Sequence, residues 1–222
     1  MKKKIDLALL CLILAVFVAF ISAQTRDFGQ WEKEIKAFET ADAKQKPPRE
    51  AILFIGSSSI RLWSDLATDF PSKKVINRGF GGSQIADSTY FADRIVVPYD
   101  PKMIVMYAGD NDLQDGKSPK QVFADYAAFV EKARAKFPKI KIAYIAIKPS
   151  PSRASLMPKA SAANELIKAY STGKRHLAFI DIYTPMLGAD GQPRKELFLA
   201  DMLHMNRKGY DIWKNAVAPF LK

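Results

Sequence analysis

Five short apolar runs recur along the chain, and most of them end in a glycine or a polar stretch. They are "AILFIG" from residue 51, "KKVINRG" from 73, "KMIVMYAG" from 102, "KIKIAYIAIKP" from 139 and "HLAFIDIY" from 176. The apolar residues in these runs are largely continuous, not alternating. That pattern predicts strands buried on both faces, as in a parallel sheet. Between the runs the period changes. Phe28, Trp31, Ile35 and Phe38 recur at helical spacing, with Pro47-Pro48 as a stop. Val122, Tyr126, Phe129, Ala133 and Phe137 form the stripe of a second helix, with Ser118, Pro119 and Gln121 as its start signal. A third helix is predicted from about Pro158 to Thr172, ending at Gly173. The last follows Asn206, with Tyr210, Trp213, Val217 and Phe220 on one face. Apolar strands alternating with amphipathic helices predict an α/β fold: a five-stranded parallel sheet between two helical layers.

The N-terminus departs from this pattern. "MKKK" precedes the apolar run "LALLCLILAVFVAFISA", the form of an export signal. Residues 1–23 are therefore expected to be a signal peptide cut after Ala23, or an uncleaved membrane anchor, and residues 24–222 a single domain. The expected location is exported, periplasmic or secreted, or else anchored by that segment. The only cysteine, Cys11, lies in it, so the mature chain would have no disulfide and would depend on its core. The formal charge is +11, and loss of three lysines and one aspartate with the segment would bring it to +9. The basic residues are scattered and form no arginine-rich run, so no nucleic-acid partner is expected.

In an open parallel sheet the functional site lies beyond the carboxyl ends of the strands. Three polar inserts occupy such positions: "GSSS" after the first strand, "NRGFGGSQ" after the second and "AGDNDL" after the third. A fourth, "ADMLHMN", precedes the last helix. Of the two histidines, His176 opens the fifth strand at its amino end, away from the site. His204 follows Asp201 by three residues, close enough in a turn for a carboxylate to orient the imidazole. Such a base could activate a serine hydroxyl. Glycines in "GFGGS" would let a backbone N–H approach a ligand, and Asn111 could aim an amide N–H₂ at developing negative charge. Neither a metal nor a cofactor is expected. Two distant histidines make a poor ligand set, and no G-K-S/T follows "GFGGS".

The four blocks in order, "FIGSSSIRLW", "NRGFGGSQ", "YAGDND" and "DMLH", resemble those of the SGNH hydrolases, also called GDSL-type esterases and lipases. The resemblance runs from about Ile52 to the final helix. It implies a three-layer α/β/α sandwich of flavodoxin-like kind. It also implies a Ser58–His204–Asp201 catalytic triad, with an oxyanion hole of the Ser58 N–H, the Gly82 N–H and the Asn111 side chain. Ser57 stands where the family usually has aspartate. Within the family the blocks are most similar to compact esterases related to platelet-activating-factor acetylhydrolase catalytic subunits. That similarity implies short-chain, acetyl-type ester hydrolysis, with a polysaccharide or lipid ester as substrate and possible membrane association through the N-terminal segment. Other readings on the same fold are a lysophospholipase, a thioesterase, an acyltransferase and a non-catalytic acyl-glycan-binding module. Trp63 is expected in the core, with a substrate-facing role as the alternative.

Overall fold

The computed structural model describes residues 26–221, so the N-terminal segment with its signal or anchor lies outside the described residues. Residues from Trp31 onward form one unit, and the residues before it belong to a separate N-terminal unit. Five strands, β1 (Ile52–Gly56), β2 (Val75–Gly79), β3 (Met103–Tyr107), β4 (Lys141–Ile145) and β5 (Leu177–Ile180), pair in parallel in the order β2-β1-β3-β4-β5. Each strand is shorter than its apolar run in the sequence. The chain adds β2 on one side of β1 and then crosses to add β3 on the other. The order therefore reverses at the β1/β3 boundary, and in open sheets of this kind a site lies beyond the carboxyl ends at such a boundary. Gly56 pairs with both Gly79 and Tyr107, so the three strands that bear on the site end level with one another.

Alternate residues of the central strands are buried on opposite faces, which is why the runs read as continuous. Ile52 and Phe54 of β1, with Met103, Val105 and Tyr107 of β3, share a core with Ile60, Trp63, Leu66 and Phe70. The residues between them, Leu53, Ile55, Ile104 and Met106, are equally buried. Helix α1 (Glu32–Lys44) opens this unit. Two single-turn helices follow β1: α2 (Ser58–Arg61) and α3 (Leu66–Asp69). Then come α4 (Ile85–Tyr90) and α5 (Ala92–Ile95) after β2, and α6 (Asp110–Gln114) after β3. Longer helices α7 (Pro119–Lys136) and α8 (Met157–Ser171) pack against one another. The last helix, α9 (Arg207–Val217), ends before the Pro219 turn. Phe220 therefore lies past α9, in a 3-10 turn, and is 36% exposed, while Leu221 takes the buried position. Helix α7 starts as its sequence predicts: Ser118 and Gln121 form a reciprocal capping box with Pro119 in the first turn.

Trp63 lies in the core. Its ring is 5.9 Å from that of Trp213 and 5.4 Å from Tyr210, which joins the segment after β1 to α9. Its Nε1–H donates to Asp69 Oδ2 at 2.7 Å, and Arg207 holds the same carboxylate at 2.9 Å. Trp63→Ala is expected to lower unfolding stability by about 3–5 kcal/mol, since it opens a cavity and leaves Asp69 short of a donor. Urea unfolding of the two proteins measures it.

Candidate active site

Glycine is required where β1 ends. Gly56 has φ +124°, and a Cβ there would lie 1.8 Å from the Tyr107 carbonyl oxygen. No side chain fits between β1 and β3 at this point. The chain then turns sharply: the Ser57 N–H donates to Tyr107 O at 2.9 Å, and Ser58 opens α2. Helix α2 has only four residues, so its macrodipole is slight. What the turn supplies is N–H groups close to the serine that have no acceptor within the helix.

Of the three serines, only Ser58 meets the histidine. Its Oγ lies 3.0 Å from His204 Nε2, and His204 Nδ1 lies 2.6 Å from Asp201 Oδ2. The hydroxyls of Ser57 and Ser59 are buried and have no hydrogen-bond partner among the described residues. Asp201 Oδ1 accepts from the N–H groups of Leu203 and His204, both at 2.9 Å. The Leu203 N–H, with the two contacts from His204, outweighs a small burial penalty and holds the Asp201 carboxyl at about 2. Asp201 is thus an anion at neutral pH and accepts the Nδ1–H. That tautomer leaves Nε2 as the acceptor facing Ser58.

The segment carrying the pair is clamped at its base. Phe198 and Met205 form an antiparallel bridge, and the Leu199 N–H donates to His204 O at 2.8 Å. Asn206 then caps α9: its Oδ1 accepts from Lys208 N at 3.0 Å, and its Nδ2 donates to the carbonyls of Glu196 and Phe198. Trp213 anchors that helix in the core.

The second and third blocks meet the first through backbone groups. Gly56 O accepts from Phe80 N at 2.9 Å and from Ser83 Oγ at 3.2 Å. Asn111 Nδ2 donates to Ser83 O at 3.0 Å, which sets its amide beside Gly82. Gly82 has φ +74°, with open space where a Cβ would be, so conformation and not crowding selects glycine there. The N–H groups of Ser58 and Gly82 donate to no group among the described residues, and Asn111 Nδ2 has a second N–H beyond the one given to Ser83. The structure therefore brings Ser58, His204 and Asp201 into one row, and holds Asn111 through the carbonyl of Ser83, the residue after Gly82.

A buried ionic group behind Asn111 was absent from the sequence reading. Lys148 Nζ lies 2.8 Å from Asp110 Oδ2 and 3.0 Å from the Tyr107 hydroxyl. Arg153 Nη1 is 3.4 Å from the same Asp110 oxygen, and Arg153 Nη2 donates to Asn111 Oδ1 at 3.0 Å. Burial pushes the Asp110 carboxyl up, but Lys148 and Arg153 outweigh it and hold it below the usual carboxylate range. Removing one partner of such a buried pair strands a charge, at a cost of about 3–5 kcal/mol. The available signal was position: Lys148 and Arg153 follow β4 at its carboxyl end, where the site belongs. On the other side of Asn111, burial pushes Asp112 up to about 6. Its carboxylate accepts from Ile85 N and pairs with Lys117, tying α6 to α4.

A serine hydroxyl, an imidazole and a carboxylate in one hydrogen-bonded row, beside unengaged N–H donors, can carry out acyl transfer. A family model described as GDSL-like lipase/acylhydrolase matches residues 42–212. The chain belongs to that family. It is accordingly a GDSL-family hydrolase, and its relatives among solved structures share its fold. A protein from Streptococcus pneumonia named for platelet activating factor is 17% identical, with a TM-score of 0.77. The match covers 97% of this chain and 99% of that one. A candidate acylhydrolase from Bacteroides fragilis is 22% identical, with a TM-score of 0.73 over 84% of this chain and 94% of that one. A carbohydrate esterase family 3 protein from Talaromyces cellulolyticus is 16% identical, with a TM-score of 0.59 over 78% of this chain and 96% of that one. No curated protein matches the chain. In this GDSL-family chain, Ser57 replaces the usual aspartate without disturbing the contact between Ser58 and His204.

Proposed function

We propose that the protein is a serine esterase that cleaves short-chain, acetyl-type esters of a carbohydrate or lipid through an acyl-enzyme on Ser58. The observation that carries this reading is the continuous row from Ser58 Oγ through His204 to Asp201, at 3.0 and 2.6 Å. In the first step His204 Nε2 takes the hydroxyl proton as Ser58 Oγ attacks the ester carbonyl. The Ser58 and Gly82 N–H groups and Asn111 Nδ2 stabilise the oxyanion, and Asp201 stabilises the imidazolium. The imidazolium then gives its proton to the departing alcohol. In the second step water, deprotonated by the same histidine, attacks the acyl-enzyme, and release of the acid restores Ser58.

Two features support a small acyl group and a polar or amphiphilic alcohol. After β1, β2 and β3 the chain reaches the next helix within a few residues, and the longer segment, between β5 and α9, carries Asp201 and His204. Leu199 and Met202, 48% and 37% exposed, flank Asp201 and offer a small apolar lip. Carbohydrate esterase activity is named for one structural relative and platelet activating factor for another, and both fit this alcohol class. A non-catalytic module would have no need for the intact row. An exported or membrane-anchored location suits such substrates and rests on the N-terminal sequence.

The test is hydrolysis of p-nitrophenyl esters from acetate to decanoate by the chain from Gln24 onward. The same protein is then given acetylated xylan and a short-chain acyl phospholipid. Highest kcat/KM on acetate or propionate, with acetate released from one natural ester, is the expected result. A maximum at octanoate or longer would replace this reading with a lipase.

A further inference from the structure

The buried charges behind Asn111 have no part in the steps above. Any oxyanion role for Asn111 depends on its amide facing one way, because a 180° turn about χ2 exchanges its oxygen and nitrogen. Two contacts decide the orientation. Ser83 O can only accept, and it faces Nδ2 at 3.0 Å; Arg153 Nη2 can only donate, and it faces Oδ1 at 3.0 Å. A turned amide would set two donors together at Arg153 and two acceptors together at Ser83. Arg153 is itself held. The 3-10 turn Pro151–Leu156 bonds to the histidine segment through the Ser152 N–H and Met202 O at 3.0 Å, and the Arg153 N–H bonds to Ser150 O at 3.0 Å. Lys148 and Arg153 also bring two positive charges to the one carboxylate of Asp110.

We propose that Arg153 is a positioning residue for the oxyanion hole, fixing the Asn111 amide with Nδ2 toward the reacting carbonyl and strengthening that N–H as a donor. A guanidinium that donates to Oδ1 draws electron density toward the oxygen, so the N–H₂ becomes more positive, as in other hydrogen-bond chains. The charge is in place before the oxyanion forms, which is the condition for electrostatic stabilisation without reorganisation. This inference rests on the reading of Asn111 as an oxyanion donor.

The experiment compares wild type, Arg153→Ala, Arg153→Lys, Asn111→Ala and the Arg153→Ala/Asn111→Ala double variant on p-nitrophenyl acetate, with kcat, KM and melting temperature for each. Asn111→Ala should lower kcat about 10²–10³-fold. Arg153→Ala should lower it about 10–100-fold with KM changed less than about threefold, and added guanidinium chloride, but not equal sodium chloride, should restore part of the rate. The double variant should be no slower than Asn111→Ala alone, because Arg153 acts only through that amide. Arg153→Lys, which keeps the charge without the planar fork, should fall between wild type and Arg153→Ala and answers the question if the alanine variant does not fold. Losses that multiply in the double variant, or a raised KM with unchanged kcat, would overturn the inference. If Asn111→Ala loses rate and a folded Arg153 variant does not, the inference alone fails. If Asn111→Ala is fully active, the oxyanion reading fails and takes the inference with it.

Discussion

Ser58→Ala should lower kcat/KM for short esters by about 10⁴–10⁶-fold with a melting temperature close to wild type. The fold has little invested in this hydroxyl: its partner is His204, and the turn that presents it is held by backbone bonds from Ser57 and by Gly56. Ser57→Ala and Ser59→Ala make the contrast. Each removes a buried hydroxyl without a partner among the described residues, so each should be neutral or slightly stabilising and keep most of the activity. His204→Ala should match Ser58→Ala in effect, and the double variant should be no slower than either, because the two residues act as one unit. Steady-state kinetics with calorimetry on the set measures both sides.

Asp201→Asn should cost about 10⁴-fold in kcat. An amide could turn its N–H₂ toward His204 Nδ1 and stabilise the tautomer with hydrogen on Nε2. Nε2 then becomes a donor facing Ser58 and cannot take its proton. The imidazolium formed during the reaction would also lose its counter-charge. The carboxyl at about 2 adds a pH expectation. A group whose folded pKa lies below its unfolded value stabilises the fold fully above the ordinary carboxylate pKa, and that contribution fades as pH falls toward 2. Asp201 therefore stays ionised across the working range, and loss of activity between pH 7 and 5 does not come from it. A pH profile that collapses with the midpoint of a carboxylate near 4, in parallel with loss of the Asp201–His204 bond, would contradict this.

The strands and long helices were legible because burial leaves a plain periodic mark. β1 and β3 are covered on both faces, and α7 carries its cap in its sequence. The short helices α3 to α6 were not, since four to six residues hold too little of a 3.6-residue period. Phe220 fitted the helical spacing but fell past the turn containing Pro219. Ser58, Asp201 and His204, which the structure brings into contact, were legible for a different reason: each sits in a short block at a strand's end or before the last helix. The ionic group around Arg153 left no such mark. Lys148 meets Asp110 across 38 residues and Arg153 meets Asn111 across 42, distances over which sequence alone carries no pairing signal. Lys148 reads as the polar end of a strand until the fold shows it 3% exposed.

The most direct measurement is the site of covalent labelling by a small fluorophosphonate, followed by intact mass and peptide mapping. One adduct per chain on Ser58, absent in His204→Ala and slowed by a competing acetyl ester, is the predicted result. An adduct on Ser57, Ser59 or any other residue, or ester hydrolysis that persists while Ser58 remains unmodified, would show that Ser58 is not the nucleophile.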